Sequence, residues 1–472
     1  MEACQRISEI IESKRDILID ISNKIWEYAE LKFEEFKSAE LLCETLEKEE
    51  FIVQHGVAGM KTAFIASYGK GKPVIAILGE YDALDGLSQE GGIIEQKSIV
   101  PGGSGHGCGH NLLGTGALAS AIALRHYMEE NNLPGTIRYY GCPAEEGGAG
   151  KVFMVREGLF KDVDCALTWH PDTGNCVSVN SCLALYNVYF KFKGKSSHAA
   201  MAPHLGRSAL DAVELMNIGV NYLREHVIQE AKIHYAITNA GGKAPNIVQA
   251  EAEDYLCIRA PKVSQAKEIY ERICNIAKGA ALMTGTQVEI SIDSAISNFI
   301  PNKVLEMLIY KKFSELEIPK YSESDRQLAK SFRDVLSEDS KKSDIHVLTV
   351  KELKGKDISE IVNPFINEEK TVPVSTDVGD VSWIVPTGIF NTACAALGTS
   401  IHSWTFVAQG NTAIAHKGML YAGKVMALAA VELLKNPEII VKAKIELKDR
   451  LGEESYVCPI PEEVKPYLYS KP

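Results

Sequence analysis

This chain predicts an α/β fold with a mostly parallel central sheet, helices on both of its faces, and a second, inserted α+β domain. Three observations predict it. Short apolar runs bounded by Gly and Pro alternate with amphipathic or Ala-rich stretches, the texture of buried strands and covering helices. Four of those runs lead into residues that can hold a metal or activate water, and open α/β sheets place ligands at such strand ends. Midway, the pattern changes to strand, helix, two strands, helix, strand.

The elements follow in order. Residues 5 to 50 predict two helices with Trp26, Leu41, Leu42 and Leu46 toward the core. VIAILG, 74 to 79, predicts the first buried strand and runs into Glu80 and Asp82. Residues 85 to 105, with GG pairs and PGGSG, predict a loop, and a long Ala- and Leu-rich helix follows from about Asn111 to Glu130. IRYYGC runs into Pro143, Ala144, Glu145 and Glu146, and CALTW into His170. From 184 to 296, YNVYFKFKGK, helix 207 to 227, IHYAIT, IVQAEAEDYLCIRA, helix 264 to 283 and QVEISI predict an antiparallel sheet with helices on one face. The main domain is then 1 to 183 plus 297 to 472, with 184 to 296 inserted. The polar, weakly periodic stretch 321 to 372 predicts a surface elaboration with no assigned chemistry. ACAALG leads through Thr399 and Ser400 to His402, and an Ala-rich helix covers 411 to 434.

Bulk properties narrow the function. At 472 residues the chain exceeds one ordinary core. A net charge of −12 argues against a nucleic-acid surface, and no run approaches the roughly 18 apolar residues of a membrane helix. MEACQRISEIIESKRD has no apolar signal core. Eleven cysteines without a CxxC pair predict reduced thiols in a cytoplasmic protein.

The candidate chemistry centres on GHGCGHN, where Cys108 and His110 precede a helix whose N-terminus favours thiolate, the form that ligates metal. Adjacent Glu145 and Glu146 suit a split role, one ligating and one handling protons. With His170 and His402 these residues offer thiolate, imidazole and carboxylate, a set suited to zinc, with manganese, cobalt or nickel as further candidates. Five ligands exceed one catalytic zinc and fit two divalent ions about 3.5–4 Å apart.

GEYDAL, GHGCGHN, PAEEGGAGK, TWHP, GKSSHAAMAPH, GGKAPNIVQAEAE and STDVGDVSW, in this order, resemble the metal-dependent aminoacylase and carboxypeptidase amidohydrolases over nearly the whole chain. The resemblance implies a zinc-exopeptidase-like fold whose inserted domain is a lid and dimerisation element. It implies metal ligands at Cys108, His110, Glu146, His170 and His402, and Glu145 as general base. It implies His198 as the oxyanion partner, and Asn246 and Arg259 as the grip on a substrate carboxylate. Glu80 stands where relatives carry an Asp that orients a ligand, with Asp82 the neighbouring candidate. The implied reaction is cleavage of an amide between an acyl group and an amino acid, p-aminobenzoyl-glutamate or a similar N-acyl amino acid. Its rivals are a dipeptidase on an unusual or β-linked dipeptide, and a non-enzymatic metal-binding partner subunit or thiol sensor. The implied partner is a second copy joined through the inserted domain, or a related A-type subunit.

Overall fold

The computed structural model describes residues 2–466. It contains twelve strands among the described residues: β1 (Ile52–His55), β2 (Phe64–Lys70), β3 (Val74–Glu80), β4 (Gly135–Cys142), β5 (Cys165–Asp172), β6 (Ser178–Cys182), β7 (Ala184–Lys193), β8 (Lys232–Asn239), β9 (Glu251–Ala260), β10 (Gln287–Ile296), β11 (Ile366–Val372) and β12 (Thr387–Ala393). The chain divides into two units. Among the described residues, one holds 2–180, 300–370 and 381–456; the other holds 181–299, 371–380 and 457–466.

The first unit is built on a six-stranded sheet ordered β1-β2-β4-β3-β5-β12. β4, β3, β5 and β12 run parallel, while β2 is antiparallel to β4 and β1 to β2. Every residue of β3 is buried, as expected of a parallel strand covered on both faces. The helices His110–Glu130 and Ala413–Lys435 are buried along almost their whole length. Their Gly and Ala content allows close approach: a Cβ at Gly114 would lie 2.5 Å from the carbonyl oxygen of Glu80. The start of the first helix is thereby pressed against the carboxyl end of β3.

Three expectations shift. The chain opens with three helices, Glu2–Ser13, Arg15–Tyr28 and Phe36–Lys48, because a turn at Lys14 lets two apolar stripes meet one core. ACAALG is not the fourth strand. β12 lies just upstream, and the run continues as a buried loop in which the Cys394 amide bonds the Asp172 carbonyl and the Leu397 amide bonds that of Asp357. Burial without a ladder looks, in sequence, like a strand. Residues 321 to 372 also fold, into helices Glu323–Val335, Glu338–Ser343 and Ile345–Thr349, followed by β11. The first is set by a capping box between Ser322 and Asp325 and buries Ala329 and Phe332.

The second unit carries an antiparallel sheet ordered β10-β7-β9-β8, with helices Ala209–Leu223 and Val263–Thr284. Burial alternates along β9, the signature of a sheet with one covered face. Tyr189 stacks on Tyr255 across β7 and β9, with ring centroids 4.2 Å apart. β8 is an edge strand and is exposed apart from Ile233. No helix among the described residues is long and apolar enough to cross a membrane.

Candidate metal centre

Every predicted ligand lies in the first unit, at the carboxyl side of the parallel strands. β3 ends at Glu80 with Asp82 just beyond, β4 leads to Glu145 and Glu146, and β5 carries His170 near its end. Cys108 and His110 arrive on the tight turn that starts the long helix. Gly109 there has φ +76, and a Cβ would sit 3.0–3.1 Å from Phe406 and Pro171, so any other residue would be strained and crowded. His402 comes from the loop after β12, its amide bonded to the Gly107 carbonyl at 2.7 Å.

The donor atoms converge in three overlapping groups, each within 4.8 Å: Cys108, His110 and His170; Cys108, Glu146 and His402; Glu80, His110 and Glu145. Cys108 Sγ lies 3.3 Å from His170 Nε2. Glu146 Oε1 lies 3.4 Å from His402 Nε2 and 3.9 Å from His110 Nε2. His110 Nε2 and Glu146 Oε1 are buried with no hydrogen-bond partner. Two orphaned electron-pair donors beside a thiol and two further imidazoles fit divalent metal, which would satisfy atoms that otherwise carry a burial cost.

The surroundings aim these donors. Asp82 Oδ1 lies 2.8 Å from His110 Nδ1, and Asp82 Oδ2 accepts the Glu146 amide at 2.8 Å. That bond turns His110 Nε2 toward the other donors, as a carboxylate behind a ligating histidine does. His170 Nδ1 lies 2.7 Å from the Pro171 carbonyl, which leaves Nε2 facing Cys108. Glu80 pairs instead with Lys151, its Oε1 2.6 Å from Nζ, while Oε2 lies 3.3 Å from His110 Nε2.

Electrostatics follow from burial and neighbours. Burial and the nearby Glu146 push the Cys108 thiol well up, outweighing the helix N-terminus; a cation is what would release its proton. Burial opposes ionisation of Glu146, yet His402 and His110 hold it down at about 2. Burial opposes the charged form of His110 too, but Asp82 and Cys108 together push it well up. Ala144 and His402 take left-handed φ of 61° and 58°, each costing about 1–3 kcal/mol that the surrounding contacts must offset.

Sequence reasoning missed two buried supports. Lys151 stands in the quoted PAEEGGAGK, and its full burial beside Glu80 is invisible without the fold. Glu35 is buried at the start of helix Phe36–Lys48 and accepts the amides of Phe33 and Ala144, bracing the loop that carries Glu145. Burial, with Asp82 nearby, raises its carboxyl to about 8.

The remaining residues lie in the second unit. His198 is exposed and forms a bridge with Ile247, and the Ala199 amide bonds the Asn246 carbonyl, so His198 and exposed Asn246 are neighbours. Arg259 is half-buried near the far end of β9, beyond Glu251 by about 26 Å of strand. The antiparallel sheet does not bring Arg259 to the other two.

Comparison with known proteins bears on this arrangement. The model of peptidase family M20/M25/M40 matches residues 76–361. The chain is 46% identical to the B-type subunit of the p-aminobenzoyl-glutamate hydrolase of Escherichia coli (strain K12), over 98% of each chain. It is 28% identical to the Xaa-Arg dipeptidase of Mus musculus, over 95% of this chain and 93% of that one. Among solved structures, a putative aminohydrolase from methicillin resistant Staphylococcus aureus superposes with a TM-score of 0.63 at 18% identity, covering 91% of this chain and 99% of that one.

Proposed function

Because the chain belongs to peptidase family M20/M25/M40 and is a metal-dependent amidohydrolase cleaving the amide between an acyl group and an amino acid, we propose that its substrate is p-aminobenzoyl-glutamate or a similar N-acyl amino acid. The observation that carries this reading is the meeting of Glu145 with Glu80 and His110 in one donor group, beside the group of Cys108, Glu146 and His402. It puts a further carboxylate beside the candidate ligands, as the proposed proton transfer requires.

Cys108, His110, Glu146, His170 and His402 would hold two divalent ions, zinc or manganese before cobalt or nickel. Bound there, the ions would polarise the scissile carbonyl and acidify a water. Glu145 takes the proton of the attacking water on its carboxylate and returns it to the leaving amine nitrogen. Asp82 holds His110 in one tautomer throughout. His198 Nδ1 accepts the amides of Ala200 and Met201 at 3.2 and 3.1 Å, so the ring proton resides on Nε2, a donor for the carbonyl oxygen as it gains charge. Asn246 and Arg259 bind the free carboxylate of the amino acid, Arg as a two-pronged donor.

Arg259 and the His198–Asn246 pair stand too far apart along one sheet for a single small substrate to touch both. This favours a homodimer through the inserted domain, with a second copy supplying one of the two. The exposed edge of β8 suits such pairing. A related A-type subunit is the alternative partner. We place the enzyme in the cytoplasm, where its eleven free cysteines stay reduced.

A second reading, a dipeptidase, is favoured by the likeness to the Xaa-Arg dipeptidase. Metal-loaded protein incubated with p-aminobenzoyl-glutamate and with a dipeptide panel decides between them. Release of aromatic amine supports the first reading. Release of amino acids from dipeptides alone overturns it.

A further inference from the structure

We infer that Asp344, from the polar stretch outside the ligand set, is a positioning residue that locks the strand end bearing His170 to the loop bearing His402. The inference rests on the ligand assignments above. Asp344 Oδ1 caps helix Ile345–Thr349, accepting the amides of His346 and Val347 at 2.8 and 3.2 Å. Its other oxygen looks outward. Oδ2 accepts the Thr173 hydroxyl at 2.8 Å and the Gly398 amide at 2.6 Å. Thr173 follows His170 by three residues and Gly398 precedes His402 by four. One carboxylate therefore joins two ligand-bearing segments that are 225 residues apart, counting from Thr173 to Gly398.

Neighbouring contacts keep that carboxylate in place. His346 is buried, with Nε2 3.1 Å from Asp172 Oδ2 and Nδ1 2.9 Å from Asn363 Nδ2. Its ring covers Gly174, where a Cβ would lie 2.6 Å from it. Arg333 donates to the Leu397 carbonyl at 2.8 Å, and the Leu397 amide donates to the Asp357 carbonyl at 2.9 Å. Gly398 itself is buried at φ +91, a conformation that needs outside support. Without Asp344, its amide would lose its acceptor in a buried place, and the chain leading to His402 would rest on the remaining bonds at Leu397, Thr399 and His402 alone. Direct hydrogen-bond partners of metal ligands typically carry 10- to 100-fold in metal affinity, and Asp344 acts one step further out, so its loss belongs at the low end of that range.

Asp344→Asn keeps an oxygen for the helix cap and turns an NH2 toward Gly398 and Thr173. Two measurements test it. In metal-free protein, amide hydrogen exchange over 397–403 should quicken in Asp344→Asn and stay at the wild-type rate in Thr349→Ala, an exposed position on the same helix. In a competition titration against a zinc chelator, Asp344→Asn should bind zinc about tenfold more weakly, and Thr349→Ala as wild type. Wild-type behaviour of Asp344→Asn in either measurement, or equal changes in Thr349→Ala, overturns the inference. If Asp344→Asn does not fold, Thr173→Val, which cuts the arm to the His170 strand end and leaves the Gly398 bond, must weaken zinc binding, and wild-type zinc binding there overturns the inference. A wild-type protein that takes up no zinc sinks the ligand assignment instead, and exchange alone then decides the role of Asp344.

Discussion

The parallel sheet and the antiparallel sheet both supply residues to one proposed reaction, yet they hold most of them in different surroundings, with exposed His402 the exception on the first. On the first, Glu80, Asp82, Cys108 and His110 are buried, and their mutual distances are set by packing before any substrate arrives. On the second, His198 and Asn246 are exposed and Arg259 is half-buried, so what they touch depends on what comes to them. The lesson is a division of labour. Burial tunes protonation and fixes ligand geometry, whereas exposed groups suit recognition and late stabilisation of charge.

The contrast is sharpened most by Glu145. Glu145→Gln should lower kcat by about 10²–10⁴ while metal content stays at the wild-type level, checked by steady-state rates and elemental analysis. A modest loss, or loss of metal, would move Glu145 out of its proton-handling role. His198→Ala should cost about 10²–10³ in kcat with metal affinity and Tm unchanged, since nothing buried depends on that ring. A fall in metal affinity would erase the distinction between the sheets. Asp82→Asn should act from the buried side, weakening metal binding about 10- to 100-fold in a chelator competition.

The smallest effect belongs to Asp254, buried on β9, where burial raises its carboxyl to about 6. A raised folded-state value means that the stability it contributes is present below its unfolded value near 4 and is lost as pH rises through 6. Asp254→Asn should therefore flatten the fall in Tm between pH 4 and 6, removing roughly 1–2 kcal/mol of pH dependence after allowance for solvent screening. An unchanged slope would show that the antiparallel sheet has no comparable buried titration.

How much of this was legible in the sequence follows the same divide. β3, β4 and β5 were readable because mostly apolar runs led into Glu, Asp or His, and the inserted domain was readable from its order of strand-like and helix-like stretches. β12 was misplaced because Cys394 to Leu397 are as apolar as any strand while bonding outside the ladder. The candidate ligands were visible as residue types; the overlap of their groups at Cys108 and His110 was not, since that comes from strand order. The sequence could not separate Glu80 from Asp82, because both carboxylates approach His110, on different ring nitrogens, and only side-chain direction shows that Glu80 also meets Lys151. His198, Asn246 and Arg259 carried no local signal and came from the resemblance alone. The stretch 321 to 372 was unreadable because its anchors, Asp344 and His346, are single polar residues that meet partners far away in sequence.

Gly114 gives the fold an unforgiving point. With the Glu80 carbonyl oxygen 2.5 Å from where a Cβ would stand, even alanine there must push helix and strand apart at the place where carboxylates and imidazoles are spaced. A mutational library scored for zinc retention and for soluble expression would separate the two scores here, with variants that still accumulate but no longer load. Tolerance to sequence drift in this enzyme is then limited by a residue with no side chain at all.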